Sequence, residues 1–387
     1  MRQPVPKIRK LSIMRTVLFT FISIAVLSAS ALATDFTPGD IVVDRVGTGT
    51  VLTTNVSAAV FLDEYSTSGG SPVASFALPT AANGSENPYT QDGTASSEGQ
   101  LTLSPNGEFL TLFGYDAAPG VASISSSDIP RTVAIIDASG DIDTTTALSD
   151  AAQGNNPRSA ITTDGNSIWV AGATGGIRYT TDGSTTSTEL NSTDTNFEEL
   201  QIADGQLYAS SQSASTEGVF TIGTGLPATA GQTITLLPGL TVASPTNLYS
   251  FFLADIDSSS PNTLYIADTS TSKAIQKFSL VSGSWVAEGD ISISGNVTGI
   301  TGEVDGDDVD IFTTSPTKLY SLTDTSGADA TINGTPTTLA TAAANESFLG
   351  VSFAPVAAAV PEPNSLAALG LGAVLLIAGS RRIRRGS

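Results

Sequence analysis

An all-β fold, organised as a β-propeller of six four-stranded blades, is predicted by three features of this 387-residue sequence. No amphipathic helical period runs through residues 34–357. Short runs of Val, Ile, Leu, Phe, Tyr and Thr are instead broken by Asp-Gly, Asn-Gly and Ser-Gly turns, which is the pattern of hairpins. The hairpins return at intervals of about 40 to 60 residues, within the period range of propeller blades.

Residues 99–114 (GQLTLSPNGEFLTLFG), 159–172 (SAITTDGNSIWVAG), 199–210 (ELQIADGQLYAS) and 251–268 (FFLADIDSSSPNTLYIAD) each read as strand, turn and strand. Turn centres fall near Gly107, Gly165, Gly205, Asn262 and Gly306, and a further strand follows each: 132–137, 176–179, 218–222, 274–280 and 318–322. Segment 348–355 (FLGVSFAP) resembles an inner strand with no blade after it, whereas 39–78 resembles a blade lacking its first strand. Joining them closes a ring of six, with the other blades beginning near 97, 156, 196, 247 and 296. Seven blades is the alternative, because unit 97–155 is long enough to hide extra strands. A pair of β-sandwiches or a β-helix would share the strand spacing. Closure leaves only short, protected edges, which suits a long antiparallel chain that has no cysteine to staple it.

Formal charge is −21, but nine of the 16 basic residues sit at the two ends of the chain. The body between them keeps seven bases against 36 acids, a charge of −29. Such a surface repels phosphate backbones, so nucleic acid is excluded as a partner and cations or neutral glycans fit better. With no Cys and no His, the chain has no thiolate nucleophile, no Cys/His zinc site and no imidazole for a Ser-His-Asp triad.

The first 33 residues read as a signal peptide. Arg2, Lys7, Arg9, Lys10 and Arg15 precede the apolar run 17–27 (VLFTFISIAVL), and small residues follow, with Ala31 and Ala33 forming an A-x-A site for signal peptidase. Met14 is an alternative start, and an uncleaved anchor the alternative topology. At the other end Pro361-Glu362-Pro363 stands before the 14-residue apolar segment 366–379 (LAALGLGAVLLIAG), followed by Arg381, Arg382, Arg384 and Arg385. As a helix the segment would be about 21 Å long against a hydrocarbon core of about 30 Å, a short transmembrane helix at most. The arginines would stay cytoplasmic and leave the body outside. The two prolines keep the segment before it extended and open to a processing enzyme.

Residues 358–387 closely resemble the PEP-CTERM sorting signal of Gram-negative bacteria, with Asn364 where Ser or Thr is more usual. The resemblance implies processing near 361–363 by an exosortase after transient residence in the inner membrane. It also implies final sorting to the cell surface or beyond, in a family associated with exopolysaccharide and biofilm production.

Within the body, Glu303, Asp305, Asp307, Asp308 and Asp310 (EVDGDDVDIF) form the densest acidic cluster and a candidate Ca²⁺ site. The sixth position of such a loop should be glycine and is Asp308, so a solvated Asp-Gly hairpin turn is the plainer reading. Asp255 and Asp257 are read the same way. Arg158 and Arg178 are rare cations and candidate ligand contacts; the alternative is that each neutralises nearby carboxylates. Ser270 with Lys273 and Ser315 with Lys318 match S-x-x-K but fall in turns, without the helix that pattern needs. Gly172, Gly175 and Gly176 have no helix after them to hold an anion. Trp169, Trp285 and the eight tyrosines are expected mostly in the core.

Three functions compete at this level. The first is a non-catalytic surface propeller that contributes to extracellular matrix or binds a glycan, a cation or a protein. The second is a carboxylate-based glycoside hydrolase or a polysaccharide lyase, which would need two facing carboxylates about 5 to 10 Å apart. The third is a calcium-stabilised extracellular scaffold. No cofactor other than Ca²⁺ is suggested by the sequence.

Overall fold

The computed structural model describes Met1 and residues 35–358, apart from 192, 214–215, 241–246, 257–259 and 270–271. The expected signal peptide with Ala31 and Ala33, and the sorting motif with the apolar run 366–379 and the arginines after it, lie outside the described residues. Among the described residues no helix is long and apolar enough to cross a membrane.

The body is a six-bladed propeller. Blade 1 is composite: its inner strand Ser347–Phe353 pairs antiparallel with Ile41–Val46, followed outward by Val60–Tyr65 and Ala74–Ala77. The inner strands of blades 2 to 6 are Thr102–Leu103, Pro157–Thr162, Leu200–Ala203, Leu248–Ala254 and Gly299–Asp305. No seventh blade is hidden in unit 97–155. Its extra length goes into the loop 116–130 and an outer strand broken into Ile142–Asp143 and Ala147–Leu148.

Tight turns set the registers. Asp204 and Gly205 both take positive φ, 48° and 69°, in the two-residue turn that pairs Ala203 with Gln206. Gly306 at φ 66° opens the turn that pairs Asp305 with Asp308. These are the conformations that favour Asn, Asp and Gly and match the right-handed twist of the flanking strands.

Because every blade packs between two others, both faces of a sheet are buried, which is why the strands read as nearly continuous apolar runs. Ile41 and Val43 face Phe312 and Leu319 of blade 6, while Val42 and Val46 pack with Leu110 and Leu112 of blade 2. Each of the six seams has its own cluster of this kind.

Each seam also carries a hydrogen bond between neighbouring blades near the channel. Gly350 N donates to Gly99 O (3.0 Å), Thr102 Oγ1 to Ala160 O (2.5 Å), Leu200 N to Ser159 Oγ (3.0 Å) and Phe251 N to Glu199 Oε2 (2.9 Å). Ile300 N donates to Ser250 Oγ (3.2 Å), and Thr314 Oγ1 to Leu349 O closes the circle.

Alternating strand direction gives the ring two unlike ends. One, here the hairpin end, bears the turns between first and second strands and between third and fourth. The other, the connector end, bears the links from blade to blade and the second-to-third loops. At the connector end, residues 47–59 and 116–130 pack together: Ser57 Oγ donates to Ala118 O (2.7 Å) and Ser125 N to Asn55 Oδ1 (2.9 Å).

Candidate functional site

The inner strands enclose a central channel with a cavity of about 160 Å³. At its upstream end the strands of blades 6, 1 and 2 are drawn together through glycines. A Cβ on Gly350 would stand 2.2 Å from Gly99 O, and one on Gly299 would stand 2.9 Å from Leu349 O. Further along, Thr102, Ser104, Thr301 and Ser352 line the space with hydroxyls, and Ile161, Phe252 and Phe353 line it with apolar surface.

Glu199 is the one carboxylate on that lining among the described residues. It is 2% exposed, and its Oε2 accepts from Phe251 N at 2.9 Å. Burial pushes its pKa up to about 8, against hydrogen bonds from Ser250, Phe251 and Gln201 that lower it. At neutral pH it is therefore chiefly the uncharged acid. Its neighbour Glu198, also just before the strand, reaches blade 3 instead, with its Oε1 2.5 Å from Arg158 Nη1. Among the described residues, the cavity lining thus offers hydroxyls, one acid whose pKa burial raises, and two phenylalanines.

Arg158 stands at the head of the inner strand of blade 3, as its sequence position implies, yet it serves a seam. Besides Glu198 it donates to Asn196 Oδ1 (2.6 Å) and Phe197 O (3.0 Å), linking blade 3 to blade 4. Arg178, on a third strand, pairs with Asp150 at 3.1 Å and Glu189 at 3.8 Å and donates to Ser187 Oγ at 2.7 Å. The two arginines are not brought together, and both neutralise carboxylates.

Asp305, Asp307, Asp308 and Asp310 occupy the first hairpin of blade 6. Asp310 accepts from Thr323 Oγ1 at 2.6 Å, and Asp307 is exposed at the turn. Among the described residues no three Asp or Glu groups gather as a metal site. Asp255 lies beyond the inner strand of blade 5, and Asp257 and Ser270 lie outside the described residues. Ser315 and Lys318 flank a two-residue turn between strands. Gly172 ends a strand, and Gly175 and Gly176 form the turn after it. Trp169 and Trp285 are both in seam clusters, and Trp169 Nε1 donates to Pro227 O at 2.7 Å.

A second polar cluster, absent from the sequence reading, lies buried between blades 1 and 2. Gln91 Nε2 donates to Asp44 Oδ2 at 2.7 Å and to Tyr89 OH at 3.1 Å. Glu98 Oε1 accepts from Tyr115 OH (2.6 Å) and Asn156 Nδ2 (2.7 Å), and Oε2 from Asp92 N (2.8 Å). Burial raises Asp44 to about 8 and Glu98 to about 7, over the opposing hydrogen bonds. Nothing in the sequence marks it, since Asp44 stands beside Arg45 in the strand IVVDRV.

Residues 359–385 match the PEP-CTERM protein-sorting motif, so the chain ends in that signal. The motif implies export, sorting to the membrane or surface, and processing by an exosortase. No curated protein matches the chain in sequence. Among solved structures, the chain is similar to a candidate 6-phosphogluconolactonase from Bacteroides uniformis at 14% identity, over 78% of this chain and 82% of that one, with a TM-score of 0.45. It is similar to a second candidate 6-phosphogluconolactonase, from Bacteroides fragilis, at 15% identity over 78% and 82%, TM-score 0.43. A protein from Lactobacillus plantarum aligns at 13% identity over 77% and 82%, TM-score 0.44.

Proposed function

We propose that this exported propeller is a non-catalytic surface protein that binds extracellular polysaccharide and contributes to the matrix around the cell. The observation that carries this reading is the channel: hydroxyl-bearing and aromatic side chains with a single, neutralised carboxylate suit a neutral, hydroxyl-rich ligand. The charged groups support the same view, since Arg158, Arg178, Arg45 and Lys277 are all engaged by acids of the scaffold. A body charge of −29 favours uncharged glycan over anionic polymer.

The test is binding and turnover on one preparation. The purified body is titrated with exopolysaccharide from its own cells, and the same mixtures are analysed for shortened or unsaturated products. Saturable binding without products supports the reading, and binding should weaken when Thr301 and Ser352 are changed to Val. Product formation abolished by Glu199→Gln would establish a hydrolase or lyase instead. A rise in melting temperature with calcium and none with magnesium would favour the calcium-stabilised scaffold.

A further inference from the structure

We propose that the hairpin end of the ring is the face laid against the membrane while the sorting tail is in place, with the lipid interface as its partner. The inference rests on the sorting reading, which puts the apolar segment 366–379 in the bilayer.

Three observations carry it. First, both ends of the described body leave from the hairpin end. Phe36 N donates to Ala138 O (2.9 Å) in a third-to-fourth-strand turn of blade 2, and Ala354 N donates to Asp40 O (2.8 Å). Val356 N donates to Gly107 O (2.7 Å) in the first hairpin of the same blade.

Second, the tether is short. Ten residues lead from Val356 to Leu366, and at 3.3–3.6 Å each they reach at most about 35 Å. Blade strands of seven or eight residues stand about 25 Å tall. The connector end could meet the bilayer only if nearly the whole tether were stretched up the outside of the ring. The hairpin end meets it with length to spare.

Third, exposed apolar side chains are unevenly divided. Among the described body residues, Val73, Leu226, Leu280, Val281 and Val356 are exposed at the hairpin end, against Val51 alone at the connector end, and Val286 is exposed on an outer strand. Wet carboxylates such as Asp164, Asp204 and Asp307 share the hairpin end and are repelled by headgroup phosphate, so the contact is a shallow one held by the tether, where apolar tips are buried and acids keep their water.

The chain has no cysteine, so single thiols report position cleanly. Asp307→Cys at the hairpin end and Thr317→Cys at the connector end of the same blade are each labelled with a fluorophore. Each full chain is then placed in phosphatidylethanolamine–phosphatidylglycerol vesicles that carry a headgroup spin label. Quenching should be several-fold stronger at position 307, and Val73→Ser, Leu226→Ser and Val281→Ser together should reduce the difference without lowering the melting temperature. Equal quenching in chains that float with the vesicles, or a difference untouched by the triple variant, overturns the proposed contact and leaves sorting intact. Chains that do not float with the vesicles overturn the sorting reading, and the contact falls with it.

Discussion

Lys277 Nζ lies 2.9 Å from Asp324 Oδ2, with both side chains fully buried, and this pair ties blade 5 to blade 6. Lys277 also donates to Ser326 Oγ (2.8 Å), and Tyr265 OH to the same Asp324 oxygen (2.8 Å). Burial alone would raise the Asp324 pKa, but hydrogen bonds from Ser326, Lys277 and Tyr265 outweigh it and hold the group below the ordinary value. Removing one partner leaves the other charge buried. Lys277→Met should therefore cost about 3–5 kcal/mol of stability in urea unfolding, whereas Lys277→Met with Asp324→Leu should recover much of the loss.

Stability should fall as pH rises. Asp44 and Glu199 have folded pKa values near 8 and Glu98 near 7, against unfolded values of 3.8 and 4.5. The folded state binds more protons between those limits, so the stabilisation is complete below about pH 4 and is lost as pH climbs to 8. Asp324 acts in the opposite sense: its stabilisation is present above its unfolded value of 3.8 and is lost as pH falls below it. The melting temperature should peak near pH 4 to 5 and decline toward pH 8, by less in Glu199→Gln than in the parent.

Gly350→Ala tests how closely the blades meet at the channel. The added Cβ would stand 2.2 Å from Gly99 O and 2.3 Å from Leu101 N, both backbone atoms that cannot swing aside. A loss of about 1–3 kcal/mol is expected. A substitution tolerated without cost would show that the blades can part.

The two arginines should differ. Arg158→Leu removes a buried link between blades and strands Glu198, so a loss of several kcal/mol is expected. Arg178 faces half-exposed acids, so Arg178→Leu should change stability by about 1 kcal/mol or less. Thermal melts of both variants check the order. If either arginine contacts a ligand, its loss will weaken polysaccharide binding more than it lowers stability.

Chain ends set the last prediction. A body stopped after Ala358 keeps the inter-blade bonds of the described residues and should melt cooperatively. One stopped after Asn345 lacks the inner strand of blade 1, leaves the edge of Ile41–Val46 unpaired and should aggregate.

Much of the fold was legible because its punctuation is chemical. Asp204-Gly205 and Gly306 can hardly be anything but hairpin turns, and the half blade at 39–78 called for the orphan strand near 348. The blade starts near 97, 156, 196, 247 and 296 follow from the same logic. The seam chemistry was not legible. When both faces of a strand are buried, alternation no longer separates core from surface, so Asp44 in IVVDRV and Glu199 in FEEL carry no sign of being buried acids. Arg158 falls in the blade that begins near 156, but the partner that occupies it, Glu198, lies on the next blade. The packing of 47–59 on 116–130 was equally hidden, since small polar residues in loops announce no partner.

Arg45 reaches Glu346 across 301 residues, in the blade that is sewn shut by the last strand of the body. The first-made blade must therefore wait, incomplete, until almost all of the polypeptide has been delivered. A protein assembled in this way finishes its architecture at the moment its tail arrives, so an interrupted or clipped chain lacks its keystone and betrays itself by an open edge.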